Sequence, residues 1–268
     1  MKIHQVKGRH VNSYVIEDGA GLLVVDAAWR GEKYVLGYIH KVLQRDIRDV
    51  KLVICTHGDP DHSGSIAKLA SVCGAKLAVP YATPSKLLKF ANDPTGMVFR
   101  LVTALVEGMR PRAWKMYANP HKSARAKMLP AYTAEDEAPN DESASSDEEL
   151  GEGLDERFNE PPLRLKHHTL LPGFEDWQVL HTPGHSWDSC CFYHRPSGSL
   201  ITGDTLLGSN KKGRPVKPSV YANPVQLARS VKLLRRLKPQ AVYPGHGACF
   251  SGTGLLDHLK RGASKGDG

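Results

Sequence analysis

The 268-residue sequence predicts a layered α/β fold, and three observations carry that reading. Short apolar runs of strand length alternate with segments whose apolar residues recur at helical spacing. Several of those runs end in Gly, Asp or His, at the strand ends where open α/β folds place their chemistry. One such end, Thr56-His57-Gly58-Asp59-Pro60-Asp61-His62-Ser63-Gly64, sets four side chains with metal-binding chemistry, His57, Asp59, Asp61 and His62, within six residues.

Taken in order, residues 10–16 read as a strand, 17–21 as a hairpin turn and 22–26 as the returning strand. Val35, Ile39, Val42 and Leu43 recur at helical spacing, which predicts an amphipathic helix over 33–44. Residues 49–55 form an apolar run with little alternation, as expected of a strand buried on both faces. The His-Asp cluster follows and reads as an extended loop. In such a loop alternate residues point the same way, so His57, Asp59 and Asp61 converge while Pro60 stiffens the turn. A helix then runs to Val72, and 76–79 is a strand.

Residues 85–130 read as a moderately basic helical insertion. Residues 133–162 read as an acidic low-complexity insertion, with too little apolar surface to fold alone, and are expected to be disordered. The formal net charge of +8 hides an asymmetry. Residues 135–160 hold twelve acids against Arg157 alone, a local −11, and the remainder carries 35 basic and 16 acidic residues, or +19. A body this basic meets anionic partners or uses the acidic stretch as a counter-charge.

The β pattern returns over 165–172 and 177–182, the second strand ending at Pro183-Gly184-His185-Ser186. Adjacent strand residues face opposite ways, which separates His167 from His168. Strands at 190–194 and 199–202 follow, the latter ending at Gly203-Asp204-Thr205. Lys211, Lys212, Arg214 and Lys217 make 211–217 a basic loop. Asn223 followed by Pro224 marks the start of a helix that runs to Leu237. The last strand, 241–243, ends at Pro244-Gly245-His246-Gly247.

No apolar run reaches the ~18 residues of a membrane span. Residues 1–7 lack the apolar region of a secretory signal. The five cysteines include no Cys-x-x-Cys, which argues against a disulfide framework or a thiolate zinc site. A reduced, cytoplasmic setting is the expectation.

The motifs His57-x-Asp59-x-Asp61-His62, Gly184-His185, Gly203-Asp204 and Gly245-His246, in this order, resemble the metallo-β-lactamase superfamily across nearly the whole chain outside 95–162. The resemblance implies a four-layered αββα sandwich, a single domain over 1–268 carrying the two insertions. It also implies two divalent metal ions, zinc first among the candidates. His57, Asp59 and His185 would hold one ion, Asp61, His62 and His246 the other, and Asp204 would bridge them. Asp59 stands where the family's usual pattern has histidine. A hard anionic ligand there shifts preference toward iron or manganese. The same stretch looks like the flavodiiron relatives, whose flavodoxin-type domain this sequence does not supply.

The implied activity is hydrolysis by a hydroxide held between the metals, with Asp61 orienting it or shuttling its proton. The first substrate class is a small ester, thioester, lactone or β-lactam, with Trp187 as a pocket wall. The alternative is a phosphodiester or nucleic acid met by Lys211, Lys212 and Arg214. A third reading is a binding protein on a decayed hydrolase scaffold. A homodimer stays open, and no membrane partner is expected. Deleting 135–160 is expected to raise affinity for polyanions and leave neutral ester turnover unchanged. Equal polyanion affinity in the deletion and the parent would contradict a competing counter-charge.

Overall fold

The computed structural model describes residues 1–8, 11–19, 21–82, 94–110 and 161–259. They divide into two compact units. The first comprises Met1–Val79 and Pro172–Phe174 together with 161–165. The second comprises 80–82, 94–110, Lys166–Leu171 and 175–259.

The first unit is built on a six-stranded sheet. Its strands are β1 (Lys2–Lys7), β2 (Asn12–Asp18), β3 (Gly21–Val25), β4 (Val50–Ile54), β5 (Lys76–Pro80) and β6 (Leu163–Leu165), paired in that order. Strands β1 to β3 form an antiparallel meander, and β3–β4 and β4–β5 pair in parallel. Parallel neighbours need a crossover. The first crossover runs through α1 (Glu32–Gly37), and the second through α2 (Pro60–Ser63) and α3 (Ile66–Cys73). Leu22, Val24, Val53, Leu36, Ile39 and Leu69 pack into one core between these helices and the sheet. The parallel pairing also sets the carboxyl ends of β3 and β4 side by side, where the Asp26 N–H donates to Ile54 O at 2.9 Å.

The second unit repeats that construction. Helix α4 (Pro94–Gly108) comes first in the chain. The sheet contains β7 (Leu170–Leu171), β8 (Phe174–His181), β9 (Cys190–His194) and β10 (Ser199–Gly203). A hairpin of β11 (Leu207–Ser209) and β12 (Arg214–Val216) forms a separate two-stranded sheet, with Gly208 N donating to His246 O at 2.8 Å. Helix α5 (Pro224–Arg236) leads to β13 (Ala241–Pro244) and β14 (Phe250–Ser251), and the sheet order is β14-β13-β10-β9-β8-β7. Strands β10 and β13 pair in parallel and are joined through α5, whose Leu227, Val231 and Leu234 pack on Leu200 and Val242. Asn223 caps α5 as the sequence predicts, its Oδ1 accepting from Val225 N and Gln226 N at 3.0 Å each.

Several expectations are corrected. Strand β1 is present although the sequence reading began its first strand only at residue 10. The helix predicted over 33–44 is α1 followed by a wider π turn over Tyr38–Val42, in which Leu43 N donates to Tyr38 O. The His-Asp cluster is not extended throughout. Asp59 sits at the N-cap position of α2 with Pro60 at N1, so Asp61 and His62 lie on a helical turn. The strand predicted over 165–172 is broken by a turn at His167-His168, where His168 takes φ +65°. The two imidazoles therefore stack, centroids 3.7 Å apart, instead of facing opposite ways. The basic loop 211–217 is largely the β11–β12 hairpin. Of the helical insertion at 85–130, α4 is described and 85–93 and 111–130 lie outside the described residues, as does 133–160 of the acidic insertion. Among the described residues no helix is long and apolar enough to cross a membrane.

None of the five cysteines is in a disulfide, and only Cys249 is not buried. Burial disfavours the thiolate and pushes Cys73 up to about 12 and Cys191 up to about 11, and it raises Cys190 as well. At pH 8 a disulfide thiol reagent is expected to modify Cys249 rapidly and the other four only on unfolding. Fast labelling of Cys73 or Cys191 in the native protein would contradict this burial.

Candidate metal centre

In the first unit the site grows from the adjacent ends of β3 and β4. Asp26 follows β3 with φ +62°, a left-handed conformation that aspartate tolerates better than most residues. Its fully buried carboxylate accepts from Thr56 N at 2.7 Å, from Thr56 Oγ1 at 2.9 Å and from His62 Nδ1 at 2.8 Å. A carboxylate only accepts, so His62 carries its proton on Nδ1. The Thr56 hydroxyl proton is committed to Asp26, so Thr56 Oγ1 accepts from His57 Nδ1 at 3.0 Å. One carboxylate thus fixes both tautomers and leaves both Nε2 atoms with a lone pair for ligation.

Those two nitrogens meet carboxylates. His57 Nε2 lies 3.2 Å from Asp59 Oδ2, and His62 Nε2 lies 3.7 Å from Asp61 Oδ2. The two imidazoles lie 4.2 Å apart between centroids. Both rings are buried, whereas the Asp61 side chain is 47% exposed. Backbone bonds clamp the loop, with Ala27 N donating to His62 O at 2.8 Å and Trp29 N to Pro60 O at 3.2 Å. Gly64 permits that closeness, because a Cβ there would overlap Pro60 O and the Trp29 backbone.

The second unit brings together His185, Asp204 and His246. Asp204 Oδ2 lies 3.6 Å from His185 Nε2 and 3.3 Å from His246 Nε2. The His185 Nδ1 proton goes to the backbone carbonyl of Val220 at 2.9 Å, so its Nε2 also presents a lone pair. Gly184 takes φ +137° and lies so close to α5 that a Cβ would overlap Leu227. Gly245 N donates to Gly203 O at 2.9 Å, which ties the loops carrying Asp204 and His246 together.

Each of the seven residues read from sequence as ligands therefore has a nitrogen or carboxylate oxygen within 3.7 Å of another of the seven in its own unit. The separations of 3.2 to 3.7 Å bracket ~3.3 Å, the edge of a tetrahedron with ~2.0 Å metal–ligand arms. The donors are imidazole nitrogen and carboxylate oxygen, which suits zinc, iron or manganese. Trp187 is 44% exposed, and its carbonyl lies 2.9 Å from His181 Nε2. Lys211, Lys212 and Arg214 are exposed on the β11–β12 hairpin. Sequence reasoning missed Asp26 and Thr56, and it missed Arg100, whose Nη2 lies 3.3 Å from His185 Nε2. The available signal for Asp26 was an acid closing a wholly apolar strand.

The family described as "Metallo-beta-lactamase superfamily" matches residues 6–246. A probable metallo-hydrolase of Bacillus subtilis (strain 168) is 35% identical over 83 residues, which is 29% of this chain and 26% of that protein. This chain therefore spans about a quarter of that relative's length. A metallo-beta-lactamase family protein from Thermus thermophilus is structurally similar, with a TM-score of 0.57 and 20% identity, over 96% of this chain and 77% of that one. A second similar structure, solved in a di-iron-bound form, has a TM-score of 0.52 and 22% identity over 94% of each chain.

Asp26→Asn tests the tautomer argument. An amide NH₂ turned toward His62 Nδ1 can only donate, which forces the imidazole proton onto Nε2. Affinity for zinc, measured by chelator competition, is expected to fall about 10–100-fold while the protein stays folded. Unchanged affinity would contradict the role assigned to Asp26.

Proposed function

This chain belongs to the metallo-beta-lactamase superfamily and has its α/β fold, and we propose that it is a hydrolase working through two divalent metal ions. One observation carries the reading: imidazole Nε2 atoms meet carboxylate oxygens at 3.2 to 3.7 Å. The Nδ1 protons of His57, His62 and His185 are meanwhile given to fixed acceptors. Histidines arranged to satisfy only their own carboxylates would not need their second nitrogens locked in this way. We assign His57, Asp59 and His185 to one ion, Asp61, His62 and His246 to the other, and Asp204 to both.

When bound, such ions supply Lewis-acid polarisation of the scissile group and lower the pKa of water to about 7. The chain's own residues do the rest. Asp61 is the most exposed of the seven carboxylate and imidazole side chains described, at 47%. That exposure supports reading it as the residue that orients the attacking water and takes its proton. Asp26 and Thr56 keep His57 and His62 in register from below, and Val220 does so for His185. Trp187 offers an apolar wall to a small substrate. The bond cleaved is an ester, thioester, lactone or β-lactam. A phosphodiester is the second reading, favoured by the exposed Lys211, Lys212 and Arg214 on one hairpin.

Asp59 bears on the metal. A carboxylate in place of an imidazole favours harder ions, iron or manganese over zinc, and one structural relative was solved with two irons. Protein purified without added metal is expected to carry about two equivalents per chain by elemental analysis. Asp204→Ala is expected to cut that to one or fewer, with ester turnover falling by more than the ~100-fold typical of an outer-shell change. Full metal content in that variant would contradict a shared ligand. Parent protein that holds two metals yet turns over no ester, thioester, lactone, β-lactam or phosphodiester would favour the binding-protein reading.

A further inference from the structure

We propose that the outer face of α4 is an interface for a second copy of this chain, the two α4 helices packing antiparallel about a two-fold axis. The helix is amphipathic in the inverse sense. Gly96, Met97, Arg100, Thr103 and Glu107 are the positions of α4 that are not exposed, so a mainly polar side is turned toward the second unit. Its contacts there are polar or edge-on. The Thr103 hydroxyl accepts from Tyr221 N at 3.3 Å, Arg100 Nη2 lies 3.3 Å from His185 Nε2, and the Phe99 ring flanks Tyr221 with centroids 5.8 Å apart.

The other side is apolar. Val98, Val102, Leu105 and Met109 each follow by two positions a residue of the docked side, Gly96, Arg100, Thr103 and Glu107. Two positions turn a helix by about 200°, which sets them on the opposite face. They are 50 to 72% exposed, and Leu101 and Val106 are exposed beside them. Met109 keeps the helical path past Gly108, its N–H donating to Leu105 O at 3.0 Å. A helix on a protein surface ordinarily shows its polar face to water, and here that order is reversed.

The spacing says what covers this face. From Val98 to Val102, Leu105 and Met109 the steps are four, three and four residues, which is the seam of a coiled coil. Read backwards the steps are the same, so the stripe is complementary to its own antiparallel copy, as a two-fold interface requires. Val98 then meets the partner's Met109, and Val102 meets the partner's Leu105. No charged residue lies on the seam to oppose the pairing. Six large exposed apolar side chains on one helix amount to several hundred Å², at the upper end of what a monomer leaves open. Two such faces together approach the ~1,200 Å² at the low end of specific interfaces. A lipid surface fits less well, because an interfacial helix borders its apolar face with Lys and Arg. The charges of α4 are Arg100, turned inward, and Glu107, paired with Arg110 at 2.9 Å.

The test is sedimentation equilibrium of the full chain across a wide concentration range, with Val102→Glu, Leu105→Lys and the double variant beside the parent. Circular dichroism checks that each variant keeps the parent's fold. The parent is expected to dimerise, and each single variant to raise the dimer dissociation constant at least tenfold. The double variant, in which opposite charges face each other across the two-fold, is expected to recover a large part of that loss. Cross-linking reads the geometry independently of the charged variants and decides the matter should they misfold. Val98→Cys mixed with Met109→Cys, both in a Cys249→Ser background, is expected to give a disulfide-linked dimer on mild oxidation, whereas either variant alone gives little. A parent that stays monomeric at every concentration would overturn the proposal, and its co-sedimentation with phosphatidylcholine vesicles would assign the face to lipid instead. A dimer untouched by both single variants would place the interface elsewhere, and efficient cross-linking of Val98→Cys alone would show parallel helices. Either result contradicts the interface proposed.

Discussion

A single buried carboxylate organises the first unit. Asp26 accepts three hydrogen bonds, from Thr56 N, Thr56 Oγ1 and His62 Nδ1, at 2.7 to 2.9 Å. A buried ionised carboxylate is costly unless every accepting position is used. Here the requirement to satisfy Asp26 dictates the direction of both histidine rings. The positive φ at Asp26 adds backbone strain, and such strain persists only where the surroundings over-determine it. The surroundings do so through Ile54 O, which accepts the Asp26 N–H, and through Ala27 N, which donates to His62 O.

The second unit reaches the same end by other means. Its imidazole acceptor is a backbone carbonyl, Val220 O, and its precision comes from close approach of main chain to main chain. Gly184 against α5 and Gly247 against Gly208 are positions where any side chain would collide with backbone. The common device is a parallel strand pair joined through helix, β3–β4 in one unit and β10–β13 in the other. In each, strand ends that pair in parallel deliver residues distant in sequence to one edge. That geometry explains why Asp26 meets Thr56 and why the Asp204 loop meets the His246 loop.

The elements that position the seven His and Asp residues are readable because they rest on local chemistry. An unalternating apolar run marks β4, glycine before His or Asp marks the strand-end turns, and Asn223-Pro224 marks the start of α5. What escaped were features fixed by tertiary contact. Asp26 reads as an ordinary acid after a strand, and nothing local reports that Thr56 and His62 hydrogen-bond to it. The helical turn at Asp59-Pro60-Asp61-His62 was hidden because Pro60 serves a loop as well as it serves the first position of a helix. The π turn at Tyr38–Val42 is closed by Leu43 N donating to Tyr38 O, five residues back, and it leaves Val42 exposed, which an apolar period of 3.6 does not foresee. Arg100 was one basic residue among many in an insertion, and only the docking of α4 on Tyr221 brings it to His185.

His57, His62 and His185 carry their protons on Nδ1, which leaves a lone pair on each Nε2. Long-range proton–nitrogen correlation spectra of the metal-free protein, followed through a zinc titration, read each tautomer directly. The Nδ1–H form is expected for all three rings before metal, with a zinc-induced shift confined to their Nε2 nitrogens. Nε2–H tautomers before metal, or shifts at Nδ1 on titration, would contradict it.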